Sequence, residues 1–236
     1  MKFNQRRSFK KIRGKYGKMR RKARAEGVKM GKVRLTQSTL LFIQPISAAT
    51  TTYKFRVLES EVPVLPAEIR LNQNDEFISY EVGYYPLGDI LDAGGVAVGT
   101  HHHSYAPMEL DASFAQLTGA WRATMQILVN KISYLENWDM KKHNCITRTQ
   151  WASQMAAENA RQPSNNFEDE GALPMQPMLT ISGAKKNDII ITLNTAITPA
   201  SAGAWTSQDG DVLTITATQL ALYFRGMLAQ NASKFQ

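Results

Sequence analysis

Eleven lysines and arginines crowd one short stretch near the start of the chain: Arg6, Arg7, Lys10, Lys11, Arg13, Lys15, Lys18, Arg20, Arg21, Lys22 and Arg24. No carboxylate lies among them. A run this dense repels itself until a polyanion neutralises it, so the chemistry it suits is phosphate binding. Guanidinium forks can take two oxygens at once, and ammonium groups act as point charges. Across residues 1–34, 15 of the chain's 28 Lys and Arg meet a single carboxylate, Glu26. That segment carries about +14 and the other 202 residues about −6, from 13 cations and 19 carboxylates. The net charge of +8 averages a polycation and a mildly acidic body.

Other reactive residue types are present without the spacing that chemistry needs. His101, His102 and His103 are possible metal ligands, but neighbours in a strand point to opposite faces, so a polar surface loop or subunit contact is the better expectation. Glu168-Asp169-Glu170 lacks the spaced ligands and turn glycine of a calcium loop. Gly94 to Gly99 is glycine-rich with no Lys-Ser or Lys-Thr after it, which favours a flexible connection over a phosphate cradle. Cys145 is the only cysteine, so neither an intrachain disulfide nor a multi-cysteine zinc site can form; a buried apolar role is expected for it. No nucleophile-elbow or zinc-protease signature appears. The expectation is a non-enzymatic protein without metal or cofactor.

Those cations need an element to hold them. Phe9, Ile12, Tyr16, Met19 and Ala23 recur at steps of three and four, which places them on one helical face with cations around the rest, although Gly14 and Gly17 each cost about 1 kcal/mol in a helix interior. Phe3, Phe9 and Tyr16, interleaved with the cations, could stack on unpaired bases or dock the arm. Trp121, Trp138, Trp151 and Trp205 lie outside the arm and are expected in the core or at contacts.

After Arg34 the pattern turns strand-like. Expected strands are Thr36 to Gln44, Thr52 to Glu59, Glu68 to Leu71, Glu76 to Tyr84, Arg122 to Tyr134, Cys145 to Gln150, Met178 to Ser182, Asp188 to Asn194, and Val212 to Phe224 with a bend inside. Alternation predicts Tyr53, Phe55 and Val57 on one face and Met125, Ile127 and Val129 on another. Apolar residues on both parities at Ile189 to Ile191 and Leu220 to Phe224 suggest strands covered on two faces. A helix is expected over Met108 to Trp121, from the spacing of Leu110, Phe114, Leu117 and Trp121. With 43% apolar residues the body can bury a core. No apolar run approaches a membrane span, so no membrane partner or secretion signal is expected. The fold class expected is all-β: a single jelly-roll sandwich of about eight strands (residues 35–236) behind a basic nucleic-acid-binding arm (residues 1–34).

In layout, with RRSFKKIRGKYGKMRRKAR (residues 6–24) followed by eight or so strands, the chain resembles the coat proteins of small icosahedral tailless viruses. LNQNDEFISYEVGYY (71–85), LVNKISYLENWDM (128–140) and YFRGMLAQNASKFQ (223–236) look similar to capsid proteins of small single-stranded-DNA phages and their environmental relatives. The resemblance implies a bacteriophage capsid protein that self-assembles in many copies into an icosahedral shell. It also implies an inward-facing arginine-rich arm on viral genomic single-stranded DNA, contacts with other virion proteins, and location in the virion after assembly in the host cytoplasm. An arm of about +14 would neutralise on the order of 800 nucleotides in a 60-copy shell, or about 2,500 in a 180-copy shell.

Alternatives stay open at this point. A ribosome- or nucleoid-associated protein also carries a basic extension, though its globular part is usually basic too. A carbohydrate-binding or hydrolytic sandwich would use aromatics with paired carboxylates, for which Glu136 and Trp138-Asp139 are the nearest match. An amphipathic arm also suits an anionic lipid surface.

Overall fold

The computed structural model describes residues 10, 13–14, 17–18, 34–61, 68–102, 118–143, 172–206 and 212–232. Runs rich in β-branched and aromatic residues form eleven strands within them. These are β1 (Arg34–Pro45), β2 (Thr52–Phe55), β3 (Glu76–Leu91), β4 (Ala97–His102), β5 (Ala123–Val129), β6 (Ile132–Asp139), β7 (Ala172–Ser182), β8 (Asn187–Leu193), β9 (Ala200–Thr206), β10 (Val212–Ala217) and β11 (Gln219–Gln230). One helical turn, α1 (Thr118–Trp121), precedes β5, and a 3-10 turn at Met140–His143 follows β6.

Two antiparallel sheets pack as a β-sandwich. The smaller runs β2-β8-β5-β6. In the larger, β1 pairs β11 and β11 pairs β3, while β7 lies along Glu76–Gly83 of β3 and β4 along Leu87–Leu91. β10 continues past β11 to reach Ile90 and Leu91 of β3, and carries β9. The main pairings therefore join early strands to late ones: β1 to β11, β2 to β8 and β3 to β7, with β5 and β6 as the central hairpin.

The core fills the space between the sheets. Phe42, Val82, Tyr84, Leu222 and Phe224 come from the large sheet and meet Tyr53, Phe55, Met125, Ile127, Ile189 and Ile191 from the small one. Phe42 and Phe224 pack edge to face with ring centroids 5.9 Å apart. Each such side chain contributes about 1.5–3 kcal/mol on burial. The predicted inward faces are the ones found: Tyr53, Phe55 and Val57 are buried, as are Met125, Ile127 and Val129.

Several elements differ from the sequence expectation. The run Arg122 to Tyr134 is two strands, because Asn130 (φ 51°) and Lys131 (φ 67°) form a two-residue left-handed turn between β5 and β6. Glu68 to Leu71 makes only isolated bridges, Ile69 to Leu41 and Leu71 to Leu58. The segment expected as a flexible connection and polar loop instead forms β4, with His101 and His102 opposite Gly88 and Leu87. The Asp92 carboxylate shapes the preceding turn by accepting the N–H groups of Gly94 and Val96, while Gly95 takes φ 78°. The expected bend in the last strand falls at Thr218, between β10 and β11. There β10 crosses so close that a Cβ on Gly88 would sit 1.7 Å from the Thr216 carbonyl oxygen.

β11 has buried residues on both parities, since Ala221 packs with Ile43 and Leu87 on the side away from the core, while Tyr223 and Arg225 on that side are half-buried. In β8, Ile190 is only half-buried. Of the expected helix over Met108 to Trp121, α1 is present and the remainder lies outside the described residues, as does the expected strand Cys145 to Gln150.

Candidate nucleic-acid interface

Lys10, Arg13 and Lys18 of the arm have helical backbone and are exposed, as are Gly14 and Gly17. These five positions share one arc of a helix, opposite the arc the sequence assigns to Phe9, Ile12, Tyr16, Met19 and Ala23. Where Cβ atoms would stand on Gly14 and Gly17 there is open space within 4 Å. Gly14 and Gly17 bear no side chain, so at these two positions a phosphate backbone could approach the peptide closely. Arg6, Arg7, Lys11, Lys15, Arg20, Arg21, Lys22 and Arg24 lie outside the described residues, as do Phe3, Phe9 and Tyr16.

The arm runs into β1, whose first residue, Arg34, sits opposite Gln230 at the end of β11. Three turns gather at this end of the sandwich. Asn231 donates its N–H to the Asp75 carboxylate at 2.8 Å, and Gly183 donates to the Asp75 carbonyl at 2.8 Å. The Lys186 N–H donates to Oδ1 of Asn130 at 3.0 Å, while the Asn130 N–H donates to the Lys186 carbonyl at 2.8 Å. Asn187 closes the β7–β8 turn from inside, donating to the carbonyls of Ser182 and Lys185 at 2.8 Å each.

The consequence is electrostatic. Arg34, Lys131 and Lys186 are exposed and Lys185 is half-buried, all on the strand ends and turns from which the arm departs. Asp188 is engaged by Lys54 at 2.6 Å, and the carboxylates of Asp75 and Glu59 are held at the neighbouring turn, Glu59 by the Asn72 side chain at 3.0 Å. A body acidic in its overall charge thus carries a local group of cations beside the first residue of β1. Sequence reading missed Lys131, Lys185 and Lys186 because each sits in an ordinary turn, and only hydrogen bonding between distant turns brings them together.

The chain matches no known protein family, characterised protein or solved structure. The remaining sequence candidates fall as follows. Among the described residues no group of three or more His, Cys, Asp and Glu is placed to hold a metal ion, and no helix is long and apolar enough to cross a membrane. His103, Cys145, Trp151 and Glu168 to Glu170 lie outside those residues. Trp121 is buried in the core. Trp138 is half-buried and donates its indole N–H to Nε2 of the buried His143 at 2.9 Å, with Tyr84 edge-on to that imidazole at 6.5 Å. Its polar handle is committed to packing, and the neighbouring Asp139 accepts the Lys141 N–H, which weakens the carbohydrate-platform reading of Glu136, Trp138 and Asp139.

Proposed function

We propose that this chain is a virion structural protein: a jelly-roll body that packs against copies of itself into an icosahedral shell, with an arm that binds the packaged genome without sequence preference. The observation that carries the reading is the pairing order. If β4, β9 and β10 are set aside as additions, eight strands remain, and first pairs with last, second with seventh, third with sixth, fourth with fifth. A long hairpin rolled up into two sheets has that order, which is the jelly-roll pattern used by viral coats, lectins and cupins. Fold alone does not select among those functions. The polycationic arm leading into β1, and the cationic turns beside it, favour the coat reading.

In this mechanism the arm and the turn cations exchange counterions for phosphates, and the affinity is backbone-borne and falls with salt. Copies of the body supply the wall. Exposed apolar residues at hairpin tips and edges, Val96, Val98, Ile132 and Tyr134, are available for contacts repeated by symmetry.

The test is light scattering coupled to size-exclusion chromatography, with the 260-to-280 nm absorbance ratio followed across the peak at low and high salt. A megadalton particle rich in nucleic acid that high salt strips is expected. Deleting residues 1–33, which spares β1, should leave a folded body that assembles with little nucleic acid. A salt-independent monomer, or full nucleic-acid retention after the deletion, overturns the proposal.

A further inference from the structure

On the large sheet, the face turned away from the core carries a tyrosine and arginine cluster that the arm-based reading does not use. Register places Tyr223 of β11 opposite Gly83 of β3, Arg225 opposite Glu81, and Ala221 opposite Tyr85. Leu222 and Phe224, the alternate residues of β11, point into the core. Tyr223 and Arg225 therefore share the outer face.

The side chains bear this out. The Arg225 guanidinium carbon lies 5.5 Å from the centroid of the Tyr223 ring. The Tyr85 ring lies across Gly83, where an added Cβ would meet its Cε2 at 2.8 Å and its hydroxyl at 2.9 Å. Tyr80 reaches over β11 to Gln37 of β1, whose Nε2 donates to the tyrosine hydroxyl at 3.4 Å. Three half-buried tyrosines and one half-buried arginine thus lie along the adjacent strands β3 and β11, with Gln37 of β1 beside them.

Charge decides what such a surface can bind. Arg225 is 3.7 Å from the Glu81 carboxylate, so the cluster is close to neutral and offers little to a phosphate. What remains is planar π surface with hydrogen-bonding edges, which suits nucleobases. Position matters as well. Arg34, where the arm ends, pairs with Gln230, and Arg225 lies five residues back along the same strand, about 17 Å away at the strand rise.

We propose that Tyr80, Tyr85, Tyr223 and Arg225 form a stacking platform for unpaired bases of a single-stranded nucleic acid whose backbone the arm holds. The platform rests on the nucleic-acid reading of the arm and adds a preference that the arm cannot supply: bases over bare sugar-phosphate, and single strands over duplex.

The experiment compares the full-length chain's affinity for a thymidylate strand with that for an abasic strand of equal length, across a salt series. At high salt, where backbone affinity fades, the thymidylate strand should bind about tenfold tighter for each base stacked. Tyr223→Leu and Tyr85→Leu should each erase most of that preference while leaving the salt slope unchanged. Bromodeoxyuridine photocrosslinking of the wild-type chain gives an independent readout, and adducts on Tyr223 or Tyr85 are expected. Equal binding of the two strands, an unaltered preference in both variants, or crosslinks confined to the arm would each overturn the platform while leaving the arm's role standing. Loss of assembly with base preference intact would also overturn it and assign the face to a second copy of the chain. Failure of either strand to bind at low salt would overturn the platform together with the reading beneath it.

Discussion

Asn130 and Lys186, in turns 56 residues apart, exchange two hydrogen bonds: the Lys186 N–H to the Asn130 side chain at 3.0 Å and the Asn130 N–H to the Lys186 carbonyl at 2.8 Å. The pair locks the β5–β6 turn to the β7–β8 turn, which carry Lys131, Lys185 and Lys186.

Asn130→Ala removes the side-chain acceptor and places a poor left-handed residue at φ 51°. A loss of about 1–2 kcal/mol is expected. Asn130→Gly keeps the backbone conformation and should lose less. Urea midpoints of the three proteins check the order.

Replacing Lys131, Lys185 and Lys186 by Ser should leave stability within about 0.5 kcal/mol of wild type, since their side chains lie at turns on the surface. Affinity for single strands should fall, and the slope of log K against log salt should shrink by about 0.7 for each phosphate that these lysines neutralise in the wild type. A fluorescence titration series in salt measures both. An unchanged slope would remove these lysines from the interface.

Glu68 and Arg70 form an ion pair at 2.6 Å with side chains 1% and 2% exposed. The Glu68 carboxylate also accepts the Ile43 N–H at 2.9 Å, and Arg70 donates to the Glu61 carbonyl, so the pair ties the segment after β2 along the free edge of β1. Arg70→Met strands a buried carboxylate and should cost about 3–5 kcal/mol. The double variant Glu68→Gln/Arg70→Met should cost less than the sum of the singles. A double-mutant cycle in denaturant measures that coupling.

Tyr84 is fully buried, and its hydroxyl has no hydrogen-bond partner among the described residues. Burial pushes its ionisation far above the ordinary value of 10.0, with the nearby Tyr53 acting in the same direction. Burial also raises Tyr80, with the Glu81 carboxylate adding to it. Above pH 10 the unfolded chain releases these protons while the folded chain keeps them, so the unfolded state binds fewer protons and stability must fall as pH rises. For the fully buried Tyr84 the slope is about 1.4 kcal/mol per pH unit, and the partly exposed Tyr80 adds in the same direction. Tyr84→Phe should be neutral to slightly stabilising at pH 7 and should flatten that decline. Denaturation at pH 9 to 11 checks both parts.

The local content of this protein is legible in its residues. A polycationic arm, a mildly acidic body and the inward faces of β2 and β5 follow from charge counts and period-two alternation, because both properties are written within a few neighbouring positions; a bend is legible inside Val212 to Phe224, and the structure puts it at Thr218. Elements with weak local signals stayed hidden. The β5–β6 turn uses Asn-Lys rather than Asn-Gly, so nothing in the run from Arg122 to Tyr134 announced a reversal, and β4 begins in a glycine-rich stretch that looks like a loop.

Tertiary structure alone decided which strands are neighbours. β1 meets β11 nearly two hundred residues later, and that pairing is chosen by burial of Phe42 against Phe224 and by satisfaction of both backbones, neither of which is a property of either segment alone. The same holds for function. Lys131 and Lys186 share an end of the sandwich because two turns bond to each other. Tyr223, Arg225 and Tyr85 share a face because register sets β11 against β3, and a register slip of one residue would have sent those side chains into the core.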